Sequence, residues 1–312
     1  PETMLRRLHY CVQNHDSRVV FRQSTAAGDL QEMTFEQLGA KVRKCAQALV
    51  QAGVGQHDIV CIVGAGSPTW AVVYLGAMSA GAIPCPLHAT TGCDAVSMVR
   101  GCGARAVMTG DSDVANALMT RLDLLPSLSM VALWEDDGAK SSQLVEPQID
   151  RCKGSVPWLG AFLLQALMDM EVSVESQEEQ ARRLKSVRSG CCASIALTAG
   201  CSGHPKYAML SHDNWSWTAQ AVVSQLALTA EDNLLACLPM GCATAQLCYI
   251  HVALVAGCMV TFPSMQVLGR CVPGCKSWDD VYFAAAAGDS KVSGMQTKMI
   301  DLLINTRPTV LV

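Results

Sequence analysis

Short, continuous apolar runs alternate with stretches of helical period along the first 134 residues, and few architectures accept that pattern. Residues 59–63 (Ile-Val-Cys-Ile-Val) are too short for a helix and rich in β-branched side chains, so they read as a strand buried on both faces of a parallel sheet. Gly64-Ala-Gly-Ser67-Pro68 follows: a glycine turn, an N-cap serine and a proline at the first helical position. The helix it opens carries Trp70, Val73 and Met78 and ends near Gly81. Residues 83–87 form the next strand; Pro84 and Pro86 remove ladder donors and assign it to a sheet edge. Helices at 93–102 and 114–122 alternate with strands at 104–109 and 128–134. Upstream, Thr34 and Gln37 make a capping box, and Phe35, Leu38, Val42, Cys45 and Leu49 recur at helical spacing until Gly53. The expected fold is α/β, with mostly parallel twisted sheets and flanking helices.

Residues 135–148 are polar and read as loop, and the charged stretch 171–188 reads as an exposed helix with a solvated face. A second series starts at Cys191. It has a strand at 193–198, a loop at 199–207, a short strand at 208–211 and a helix through Trp215, Ala219, Val222 and Leu226. A strand at 234–238, a helix near 243–255 and a strand at 258–262 follow. Residues 278–298 are read as loop plus helix, 299–305 as a helix end and 309–312 as a strand. The chain is 50% hydrophobic and 16% charged, which supplies a large core and argues against disorder. Net charge is −4 with no long basic run, so nucleic acid is not an expected partner. None of the 16 cysteines forms a C-x-x-C pair; they are expected to act mainly as small core residues in a reducing cytoplasmic setting, with no metal site. Residues 233–269 carry no Asp, Glu, Lys or Arg, which raises a membrane span as one reading. Pro239, Gly241 and His251 break that run, and a buried strand–helix–strand unit explains it as well.

The segment richest in chemistry is Thr198-Ala-Gly-Cys-Ser-Gly-His-Pro-Lys206. Gly200 and Gly203 let backbone N–H groups converge on an anion, Thr198 and Ser202 add hydroxyl donors, and Lys206 adds a positive charge. It is neither a Walker A loop nor a Rossmann fingerprint. Ser211-His212-Asp213 contains triad residue types, but sequence neighbours rarely form a triad, and His212 is expected at the surface. Asp111 and Asp113 suit turn and cap roles, and of Trp215 and Trp217 one is expected in the core.

The nine-residue loop resembles the phosphate loop of the adenylate-forming superfamily, whose usual form is T-S-G-T-T-G-x-P-K-G. Met209-Leu-Ser-His-Asp-Asn214 and Trp217-Thr-Ala219 resemble the bubblegum-type long-chain fatty acyl-CoA synthetases. Thr34-Phe-Glu-Gln-Leu38, Gly66-Ser-Pro-Thr-Trp70, Gly76 to Gly81, Cys191–Cys192, Leu238-Pro-Met240 and Arg307-Pro-Thr309 agree in order. The resemblance implies a ligase that joins fatty acid to AMP from Mg-ATP and then to coenzyme A. Thr198, Gly200, Cys201, Ser202, Gly203 and Lys206 would hold the nucleotide phosphates, and Cys242 would line a nucleotide or substrate pocket. It leaves peripheral membrane association open.

The chain departs from the family pattern at Ala199 (usually Ser), Cys201 (usually Thr), Tyr207 (usually Gly) and Cys242 (usually His). The family's adenine-binding segment, hinge and catalytic lysine would lie beyond Val312. Residues 1–312 are therefore expected to form an incomplete AMP-binding large domain, and the C-terminal catalytic domain is expected to be missing. Its expected parts are a first βαβ portion (1–134), a polar and helical connection (135–189) and a phosphate-loop βαβ portion (190–312). Little synthetase activity is expected of it. The alternatives are a non-catalytic scaffold of the same fold and a membrane-associated protein using residues 234–262.

Overall fold

A computed structural model describes residues 2–24, 30–88, 92–134, 160–198, 206–263 and 308–311. The chain opens with α1 (Met4–Asn14), β1 (Val19–Ser24), β2 (Leu30–Thr34) and α2 (Phe35–Gln51). β3 (Ile59–Val63), α3 (Pro68–Ser79), β4 (Ile83–Leu87), α4 (Gly92–Cys102), β5 (Ala106–Thr109), α5 (Ser112–Thr120) and β6 (Met130–Leu133) follow. Next are β7 (Gly160–Leu163), α6 (Leu164–Asp169), α7 (Val174–Ser186), β8 (Cys192–Thr198), β9 (Lys206–Ser211) and α8 (His212–Gln225). β10 (Asn233–Leu235), α9 (Ala243–Gln246), α10 (Ala253–Ala256), β11 (Met259–Phe262) and β12 (Val310–Leu311) complete the described chain. The expected elements at 135–148, 278–298 and 299–305 lie outside the described residues.

The local signals act as expected. Thr34 and Gln37 cap α2 reciprocally, Ser67 accepts from the Trp70 N–H at the start of α3, and Asp111 caps α5. β3 to β7 form one parallel sheet in the order β4-β3-β5-β6-β7, with the proline-bearing β4 at its edge. Alternation along these strands separates two cores. Val60, Ile62, Met108 and Ala132 face the larger core beneath α2 and α3, and Cys61, Val63, Val107 and Val131 face the one under α4 and α5. From Trp70 to Ser79, every residue of α3 is buried, which fits a helix apolar on all sides.

The second sheet, β12-β10-β11-β1-β2, draws on both ends of the chain. β1 runs parallel to β11, with Phe21 opposite Val260, and antiparallel to β2. The sequence reading did not foresee the hairpin of β1 and β2, whose parallel neighbour β11 lies far away in the chain. The charge-free run from 233 becomes β10, a helical passage with a π-helical stretch Leu247–Val252, and β11. No helix among the described residues is long and apolar enough to cross a membrane, so the reading of a span at 234–262 is corrected. The charged helix α7 is also more than a solvated face. Its Gln180 is buried against Ser79, and Arg183 donates to the carbonyls of Val54 and Ala80.

Helices α2 and α3 meet at Gly76, where an added Cβ would lie 2.7 Å from Cys45 Sγ and 2.9 Å from its Cβ. A Gly76→Val substitution is expected to cost about 1–3 kcal/mol by overpacking, read as a lower urea midpoint.

Candidate functional site

The strand β8 pairs only with β9, antiparallel, so the phosphate-loop candidate joins the two strands of a hairpin. β9 begins at Lys206, two residues earlier than expected from sequence. Thr198 and Lys206 are direct cross-strand partners, which puts both side chains on one face at the mouth of the loop. Both are exposed, and the Thr198 hydroxyl lies 3.5 Å from the Lys206 carbonyl oxygen. Gly200, Cys201, Ser202 and Gly203, with Ala199, lie outside the described residues, so the structure describes the stems of the loop. Tyr207, paired with Leu197, projects to the other face. Its hydroxyl donates to the Met98 carbonyl at 3.0 Å, and the absence of a side chain at Gly101 makes room for it. The Tyr207 side chain therefore anchors the hairpin to α4.

A buried chain of rings holds β8 from the opposite side. Trp215 of α8 donates its indole N–H to the Ser194 hydroxyl at 2.9 Å. The Trp215 ring stacks on His251, with centroids 4.4 Å apart. His251 Nε2 is hydrogen-bonded to the Tyr74 hydroxyl at 3.1 Å, and Tyr74 stacks on Trp70 within α3. Burial pushes the His251 pKa down to about 3, with a smaller push from His212. His212 is pushed down to about 4 by its own burial, partly offset by Asp213. At 2% exposure His212 is a core residue, which corrects the expected surface position. Ser211 caps α8 reciprocally with Asn214, and that capping uses the hydroxyl a triad would need. Trp215 is buried and Trp217 is 75% exposed, as the spacing implied.

The segment after β10 is positioned by Tyr249, whose hydroxyl oxygen accepts from the backbone N–H groups of Cys237 and Leu238 at 3.0 and 3.1 Å. Gln246 donates to the Met240 carbonyl. An added Cβ at Gly241 would lie 2.9 Å from the His88 backbone nitrogen, so this segment passes close to the end of β4. Cys242 sits at the N-cap of α9 with an exposed thiol and no side-chain capping bond. It belongs to a different element from Thr198 and Lys206. Tyr74, Ser194, Tyr249 and His251 escaped the sequence reading. The available signal was a histidine and a tyrosine inside a run otherwise free of charge.

The AMP-binding enzyme family matches residues 8–272, and the chain belongs to that family. It is 25% identical over 242 residues to the long-chain-fatty-acid–CoA ligase ACSBG2 of Rattus norvegicus, covering 76% of this chain and 34% of that relative. It is 27% identical over 240 residues to the long-chain-fatty-acid–CoA ligase heimdall of Drosophila melanogaster, covering 76% and 33%. The chain thus spans about a third of the length of these curated relatives. Among solved structures it resembles a benzoate CoA ligase from Burkholderia xenovorans LB400, with a TM-score of 0.65 at 17% identity, covering 88% of this chain and 49% of that one. It also resembles ATP-bound MatB from Rhodopseudomonas palustris, with a TM-score of 0.62 at 21% identity, covering 84% and 45%. At these identities the structures establish the fold.

Two outcomes follow from the geometry. Tyr249→Phe leaves two backbone N–H groups without this acceptor and is expected to cost about 1–3 kcal/mol, measured by urea denaturation. The two histidines have folded pKa values below their ordinary 6.5, so the unfolded chain binds more protons as pH falls from 6.5. Stability is therefore full above pH 6.5 and drops by about 1 kcal/mol per pH unit per ring towards pH 5. Urea midpoints at pH 7.5, 6 and 5 test this, and His212→Asn is expected to halve the slope.

Proposed function

We propose that this chain supplies the ATP-phosphate end of a long-chain fatty acid–CoA ligase site. The observation that carries the reading is the pairing of Thr198 with Lys206, which sets a hydroxyl and an ammonium side by side where the glycine-rich loop begins and ends. The family membership and the fatty-acid ligase relatives support it. In this reading the backbone and side chains of residues 200–203 complete the cradle. ATP enters as its magnesium complex, with fatty acid and coenzyme A as the other substrates. Lys206 and the hydroxyls offset the charge that grows on departing pyrophosphate, a contribution that strengthens as the bond to the α-phosphate breaks. Thr198 orients and Lys206 neutralises; neither exchanges a proton with the fatty acid.

A second reading, a non-catalytic relative that keeps the fold, is favoured by Ala199 and Cys201, which remove hydroxyl donors. Cys242, which places a thiol where the family has an imidazole, favours it too. Titration of the 312-residue chain with Mg-ATP separates the two. Binding that weakens by about 10- to 150-fold in Lys206→Ala, with unchanged thermal stability because the side chain is exposed, supports the ligase-type site. No measurable binding supports the second reading.

A further inference from the structure

Three cysteines distant in sequence converge beneath the phosphate hairpin. Cys61 on β3 and Cys85 on β4 are register partners in adjacent parallel strands, and both are buried. Cys102, the last residue of α4, closes over them with its Sγ 3.3 Å from that of Cys61. All three sulfurs lie within 4.8 Å of one another. The contact is not a disulfide, whose sulfurs would be about 2.05 Å apart. The surrounding core is apolar, formed by Val63, Leu87, Val99 and Val107, with Cys192 and Tyr207 at its margin. Core filling does not require such convergence. Cys45 and Cys258 are also buried, and neither belongs to a group of three possible metal ligands among the described residues.

We propose that Cys61, Cys85 and Cys102 form a trigonal thiolate site for a soft monovalent ion of the Cu(I) class. Three sulfurs each about 2.3 Å from a central ion are roughly 4 Å apart, within the range this cluster spans. Soft donors without carboxylate or imidazole select Cu(I) over harder ions, and three ligands rather than four disfavour tetrahedral zinc. Each thiol that ligates as thiolate releases one proton to solvent, so uptake strengthens as pH rises, with no change in oxidation state. Cys102, the least buried of the three, is the ion's point of access.

The test uses the reduced 312-residue chain, loaded anaerobically with Cu(I) in competition with a Cu(I)-specific chelator. One copper per chain is expected to survive, and X-ray absorption is expected to show three sulfurs at about 2.3 Å. Cys102→Ala is expected to weaken retention more than about 100-fold, beyond the range typical of losing an outer-shell partner. Cys45→Ala and Cys258→Ala should leave retention unchanged. A shell of two sulfurs in the unmodified chain overturns the proposal without recourse to any variant. So does copper retention indifferent to Cys102→Ala, or lost equally in Cys45→Ala. Air oxidation to a Cys61–Cys102 disulfide, with no copper held by the reduced chain, overturns it as well.

Discussion

The hydrogen bond from Trp215 to Ser194, backed by the stack on His251, ties the β8–β9 hairpin to the rest of the molecule. A two-stranded hairpin is marginal by itself in water. β8 and β9 extend neither large sheet, so their position depends on what grips them. One grip comes through Ser194 from the larger core, and the other through Tyr207 from α4. Between them the hairpin is held on both faces, while Thr198 and Lys206 are exposed.

Such a chain of rings requires neutral imidazole. A charged His251 in this apolar setting would carry a large desolvation penalty, and its Nδ1 has no hydrogen-bond partner among the described residues. The same burial sharpens the bond to Tyr74, because a low dielectric strengthens a satisfied polar pair as much as it penalises an unsatisfied one. The path Trp70–Tyr74–His251–Trp215–Ser194 crosses from α3 to β8 through residues that share no local sequence signal.

What was legible in the sequence was local. Caps at Thr34, Ser67 and Asp111 involve neighbours three residues apart or fewer, and Pro84 and Pro86 mark an edge strand through their own missing donors. The continuous apolar runs that made β3 to β6 readable report burial on both faces of one sheet. Illegible features depend on distant partners. His212 looks like a polar helix start until α8 packs on the segment carrying His251. β1 carries the apolar run Val19-Val-Phe21, but its parallel neighbour is β11. At the candidate site the composition of the loop was plain, whereas the antiparallel register of its stems required coordinates. Cys61 and Cys85 each occupy the third position of a five-residue strand, a shared phase that becomes meaningful once the strands are known to be neighbours.

The pairing of β1 with β11 also has a consequence for biosynthesis. Phe21 leaves the ribosome long before Val260 exists, and at about 5–20 residues per second the interval is roughly 12–50 s. During that time β1 has its hairpin partner β2 on one side and an unfilled ladder on the other. The nascent chain must keep that edge from pairing with a foreign strand until its own downstream segment arrives.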